Sequence, residues 1–123
     1  MLAIRGATTI EDNEKKYIKE STIELIDTMI KKNNLTIDKI ISIVFSCTKD
    51  ITKDYPGKYL REVLGLTNTA IMHFNEMEVE KEKYLPLCIR VLVLYDSPKA
   101  DVKDIYPIYL KGATNLRPDL KRL

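Results

Sequence analysis

The chain is sparing with the residues that most often carry catalysis. Its 123 residues include one histidine, His73, and two cysteines, Cys47 and Cys88. A single imidazole and two distant thiols do not supply the ligand set of a structural zinc site, so no metal is expected. Both cysteines sit in apolar, strand-like runs, which predicts reduced core residues. No serine or cysteine has a convincing histidine partner, and no glycine-rich loop offers a phosphate cradle. Any chemistry is therefore expected to proceed by positioning and electrostatics. The net charge of +2 is close to balance and gives no reason to expect a nucleic-acid partner. Long apolar runs are missing as well. No segment approaches the roughly eighteen residues that suggest a membrane span. The opening Met1-Leu2-Ala3-Ile4-Arg5 lacks a basic segment leading into a long apolar stretch, so no secretory signal is expected. A cytoplasmic protein is the resulting expectation.

What is present is the make-up of an ordinary globular chain, 45% hydrophobic and 31% charged. The length suits one domain with one modest core. No linker, low-complexity segment or strong repeat divides it, so residues 1–123 read as a single domain. Residues 2–9 read as a strand. Asp12 or Asn13 is placed to cap the helix that follows. Its apolar stripe of Tyr17, Ile18, Leu25, Ile26, Met29 and Ile30 predicts about four to five turns. Asn33-Asn34 ends it, and Thr36 is placed to cap a short turn. Lys39 to Cys47 is apolar at nearly every position, the pattern of a strand buried on both faces. After a polar loop, Tyr55-Pro56 opens a shorter helix with Tyr59, Leu60, Val63 and Leu64 on its apolar side and Gly65 as its stop. Further strands are predicted at Asn68–Phe74, at Leu85–Tyr95 (the longest) and at Tyr106–Leu110. Glu76–Lys83 and Ser97–Asp104 read as loop and turn, and 112–123 as an irregular tail. The predicted class is α+β, a mixed α/β layer fold with a five-stranded mixed sheet packed on one long and one short helix. Two helices cannot cover both faces of five strands, so the other face is expected to pack on a partner subunit.

Charge is where the sequence departs from the ordinary. Fifteen of the twenty basic residues are lysines, mostly in polar stretches, and four of the five arginines stand elsewhere. Arg5 follows Leu2-Ala3-Ile4, and Arg90 interrupts the apolar run from Leu87 to Leu94. Arg61 follows Tyr59-Leu60, and Arg117 lies between Leu116 and Pro118. Arginine is the cation for planar, bidentate recognition of carboxylate or phosphate, and it stays charged near neutral pH. In an apolar strand it needs an anion, because an unpaired buried charge is costly. Strand alternation puts Arg90 on one face with Cys88, Leu92 and Leu94. Taken singly, each arginine has a plainer reading. Arg90 suits an ion pair with Glu76 or Glu78, Arg5 an edge-strand cation reaching solvent, and Arg61 and Arg117 a solvated surface. Together with Lys58, Glu76 and Tyr109 they describe a pocket of several cations, one carboxylate and one phenol. Such a pocket suits a small polycarboxylate that also bears a hydroxyl.

Several short motifs run through nearly the whole chain in one order. They are Ile4-Arg5-Gly6-Ala7-Thr8-Thr9, Tyr55-Pro56-Gly57-Lys58 with Arg61-Glu62, and Glu76-Met77-Glu78. Cys88-Ile89-Arg90-Val91, Ile108-Tyr109-Leu110 and Leu116-Arg117-Pro118-Asp119-Leu120 follow. In these the chain resembles the monofunctional chorismate mutases of the small trimeric pseudo-α/β-barrel type. The resemblance implies the rearrangement of chorismate to prephenate, the branch step toward phenylalanine and tyrosine. That reaction is unimolecular and pericyclic, with no cofactor and no covalent intermediate. It also implies a homotrimer with active sites between subunits. By the match, Arg90, Glu76 and Arg5 are the catalytic residues. Arg90 is aimed at the ether oxygen, Glu76 accepts the ring hydroxyl and balances Arg90, and Arg5 binds a carboxylate with the aid of Tyr109. Lys58, Arg61 and Arg117 form a cationic rim, Tyr55 an aromatic wall and Leu116 an apolar lid contact. The tail 112–123 is expected to be mobile without ligand.

The match has departures. His73 stands where a pocket cysteine is familiar, with Met72 before it in place of threonine, and both are assigned to substrate binding. In that place His73 is expected to donate to the substrate hydroxyl or to Glu76. Tyr55 stands where phenylalanine is familiar, and the stretch from Glu78 to Leu85 lacks the expected glycines. Two other readings fit the residues. One is a trimer on the similar barrel of enamine/imine deaminases, gripping a carboxylate with an arginine. The other is an anion-sensing module that has lost activity.

Overall fold

A computed structural model of the chain describes residues 1–80, 84–98 and 104–120. Strand β1 (Leu2–Thr9) leads to helix α1 (Lys15–Lys32), strand β2 (Ile40–Cys47) and helix α2 (Pro56–Leu64). Strands β3 (Ala70–Asn75), β4 (Cys88–Tyr95) and β5 (Ile108–Tyr109) complete the chain. Single 3-10 turns lie at Ile37–Lys39 and Lys111–Ala113. The sheet order is β3-β2-β4-β1-β5. The central strand β4 is antiparallel to both β1 and β2, while β3 and β5 join the edges in parallel. The mixed five-stranded sheet with one long and one short helix is the architecture expected.

Both helices lie on one face of the sheet, and alternation decides which side chains meet them. Ile4, Ile43, Phe45, Ile89 and Val93 face the helices and are essentially fully buried with Ile18, Leu25, Ile26 and Met29 of α1. Gly6 lets α1 come close. A Cβ there would stand 2.6 Å from Met29 Sδ and 3.2 Å from the Ile108 carbonyl oxygen. Helix α2 ends at Gly65 in the left-handed conformation (φ 71°), as a glycine stop should. Asn33 does more than end α1. Its amide donates to the Tyr106 carbonyl at 3.0 Å and accepts from the Tyr106 N–H at 2.7 Å, clipping the segment before β5 to the helix end.

The structure corrects several local expectations. Neither Asp12 nor Asn13 caps α1; Glu14 occupies that place without a side-chain bond. Asn13 instead binds Thr52 and Lys53 of the loop before α2. Thr36 does not cap with its side chain, and its N–H donates to the Tyr95 hydroxyl at 2.9 Å. Strand β4 is no longer than β1 or β2, and β5 has two residues. Strand β2 is buried on one face only, with Ile41 40% exposed and Ser42, Val44 and Ser46 half-buried. Arg5 is not on an edge strand, because β5 pairs outside β1. The first tail residues form turns, with Ala113 fully buried and the Gly112 N–H bonded to Thr9 Oγ1 at 3.0 Å. Parts of the expected loop 76–83, turn 97–104 and tail 112–123 lie outside the described residues.

Candidate active site

The sheet face turned away from the helices carries two rows of side chains across the strands. One runs Met72, Val44, Leu92, Arg5 and the other Phe74, Ser46, Arg90, Ala7, Tyr109. Arg5 and Arg90 are thus diagonal neighbours on adjacent strands, within reach of a common ligand. Glu76 leaves the end of β3 at the same height, its N–H donating to the Cys47 carbonyl at 2.8 Å. Its Oε1 accepts the Ser46 hydroxyl at 2.7 Å and lies 3.4 Å from Arg90 Nε. That Arg90 contact is close enough for charge attraction but lacks hydrogen-bond geometry, and the buried Nε has no hydrogen-bond partner among the described residues. The Arg90 side chain as a whole is 38% exposed, so it is the rest of the guanidinium that the cavity can present to a ligand oxygen.

Five of the expected residues come together here. Arg5, Glu76, Arg90, Tyr109 and Arg117 line one cavity of about 290 Å³. Its apolar walls include Ala7, Val44 and Leu92. Leu116 packs beside it, against the small cluster of Ala7, Cys88 and Ala113. Arg117 already holds an anion. Its Nε and Nη2 donate to the Asp119 carboxylate at 2.9 and 2.7 Å, and this fork holds the Asp119 carboxyl down at about 2. Both cysteines are free and buried. Burial pushes the Cys47 thiol up to about 12 and raises that of Cys88 as well, so neither is a ready nucleophile.

The remaining candidates lie elsewhere on the chain. Tyr55 and His73 line a second cavity of about 410 Å³ with Asp54, Phe74 and Asn75. His73 points to the helix side of the sheet. Its ring stacks on Phe45 at 5.0 Å, and its Nε2 accepts the Gly57 N–H at 2.9 Å. That nitrogen is therefore an acceptor, and any donation by a neutral His73 falls to Nδ1. Lys58 pairs with Asp54 at 3.0 Å. Asp54 also accepts the Tyr59 hydroxyl at 2.7 Å and the Tyr55 N–H at 2.8 Å, and these bonds, Tyr59 first, hold its carboxyl at about 2. Arg61 is exposed on α2, and Met72 is 57% exposed on the open sheet face. Ser46, Asp54 and Asp119 escaped the sequence reading. Ser46 becomes visible only through its register with Arg90. Asp54 lies next to a recognisable motif and Asp119 within one, but nothing local says which cation they hold.

Residues 1–120 match the family described as chorismate mutase type I. The chain is 32% identical over 121 residues to chorismate mutase AroH of Thermus thermophilus, covering 96% of this chain and 94% of the relative. It is likewise 32% identical over 119 residues to chorismate mutase AroH of Bacillus subtilis (strain 168), covering 95% and 90%. Its fold is similar to that of a chorismate mutase from Clostridium thermocellum, with a TM-score of 0.86 and 42% identity over 92% of this chain and 97% of that one.

Proposed function

The chain belongs to the type I chorismate mutase family, and on that premise we propose that it is an isomerase converting chorismate to prephenate in aromatic amino acid biosynthesis. The observation that carries the reading is the convergence of Arg5, Arg90 and Arg117 with Glu76 and Tyr109 on one small cavity with apolar walls. Chorismate has two carboxylates, a ring hydroxyl and an enolpyruvyl ether. As its ether bond breaks ahead of carbon–carbon bond formation, negative charge gathers on the ether oxygen. Arg90, which lines that cavity with its guanidinium partly exposed, is the donor aimed at that charge. A preorganised donor of this kind contributes roughly 3–4 kcal/mol. Arg5 and Tyr109 bind a carboxylate. Glu76 accepts the ring hydroxyl and keeps Arg90 in place.

The rest of the acceleration comes from holding the flexible substrate compact. Lys58, Arg61 and Arg117 form the cationic rim, Tyr55 and Met72 are wall residues, and Leu116 closes the site from the tail. His73 belongs to the same rim region. Within one chain Tyr55 and His73 line one cavity and Arg117 the other, while Lys58, Arg61, Met72 and Leu116 line neither. The site is therefore completed by a neighbouring subunit of a homotrimer, across the open sheet face where Met72, Phe74 and Leu92 are exposed. The protein acts in the cytoplasm and uses no cofactor. The family match gives no support to the deaminase-like alternative. The test is loss of chorismate absorbance on adding enzyme, with prephenate as the product. Absence of turnover at micromolar enzyme rejects the reading.

A further inference from the structure

His73 is the chain's only imidazole, and its surroundings suit a supporting role better than a substrate contact. The Gly57 N–H, in the first turn of α2, donates to His73 Nε2 at 2.9 Å. An accepting Nε2 in a neutral ring places the proton on Nδ1. Gly57 is shaped to this contact. A Cβ there would lie 2.9 Å from His73 Cε1 and 2.5 Å from Ile71 Cγ2, so the helix end meets β3 through bare backbone. The ring is further fixed by its stack on Phe45, with the planes 8° apart, and by Tyr55 at 5.1 Å. The turn so held is followed at once by Lys58 and, one turn on, by Arg61.

We propose that His73 is a positioning residue: as the neutral Nδ1–H form it accepts the Gly57 amide and fixes the first turn of α2, and protonation of its Nε2 releases that turn together with Lys58 and Arg61. The kinetic consequence rests on the chorismate mutase reading above; the structural one does not. The charged and titratable groups sharing the cavity or acting on the ring are Arg61 of α2, Lys53, Asp54 and Tyr55 of the preceding loop, and Cys47 of β2. Burial first, and then the Arg61 charge, push the imidazole below its ordinary value. The positive end of α2 opposes a cation in the same sense. The unfolded chain thus takes up the proton first as pH falls through about 6.5. The stability and order contributed by the neutral ring are full above that range and are lost on acidification.

Three variants and one spectrum decide it. Nitrogen chemical shifts of the wild-type ring should show the Nδ1–H tautomer at about pH 7.5, and the Gly57 amide should titrate together with His73. In the wild-type enzyme KM should rise on going from about pH 7.5 to about pH 5.5. His73→Gln keeps an acceptor that does not titrate, so its KM should lose most of that rise between the two pH values. His73→Leu offers no acceptor and should raise KM up to about tenfold at both pH values, with a smaller change in kcat. Gly57→Ala should shift the ring signals. A wild-type Nε2–H tautomer, a Gly57 amide indifferent to the His73 titration, or a Gln variant that keeps the full rise would each overturn the proposal. An inactive wild-type enzyme with the expected tautomer and coupling would instead reject the mutase reading and leave this one standing.

Discussion

Arginine placement is the most consequential feature at the scale of single residues. Arg90 is 38% exposed at its side chain, yet its Nε is buried and lacks a hydrogen bond. Lysine carries the same charge on a rotatable point and cannot present the planar fork. Arg90→Lys is therefore expected to lower kcat by about two to three orders of magnitude while changing substrate affinity less. Steady-state kinetics at saturating chorismate checks this, and a variant with near-full kcat removes Arg90 from its role. Arg117 differs, because its fork is held by Asp119 in an exposed turn. Substrate must compete for that fork, so the residue is suited to capture rather than to the chemical step. Arg117→Ala should raise KM several-fold more than it lowers kcat, read from the two constants separately. The reverse split would assign the tail to the chemistry.

At the scale of elements, close approach sets the geometry of the site. Helix α1 rests on β1 where Gly6 has no side chain, and Gly6 is the residue between Arg5 and Ala7 in the cavity wall. A methyl group there has to displace Met29 Sδ and crowd the Ile108 carbonyl, which belongs to backbone paired with β1. Gly6→Ala is expected to destabilise the protein by about 1–3 kcal/mol. Urea unfolding gives the number, and an unchanged midpoint would show that helix and β5 shift freely. Helix α2 is short and depends on its surroundings. Asp54 ties Lys58, Tyr59 and the Tyr55 amide together, and His73 holds Gly57. Its first turn is therefore fixed by side chains outside the helix, as expected for a segment too short to be stable alone.

At the scale of the whole molecule, the sheet has one face covered by helices and one face open. The open face is neither polar nor simply apolar. It carries Leu92, Met72 and Phe74 among Arg5, Arg90 and Ser46. An apolar surface of this kind is expected to be covered by association. Light scattering at micromolar concentration should give three times the mass of the chain, and a monomeric mass would leave the second group of site residues without a place to act. Among the described residues no helix is long and apolar enough to cross a membrane.

The class of fold, the two helices and the arginines that matter are legible in the order of residues alone. Those signals are local: apolar periodicity, Pro56 and Gly65 at the ends of α2, and cations set in apolar runs. The motifs from Arg5 to Leu120 carried the family as well. Register and close approach emerge from the packed fold. Arg90 meets Ser46 and Glu76 because β4 pairs with β2, and Arg5 leaves the edge because two residues of β5 pair outside it. His73 turned out to face α2 rather than Glu76, since a single step along β3 chooses the side of the sheet. Such choices depend on which strands become neighbours, and that is settled by burial of the whole core rather than by any segment alone.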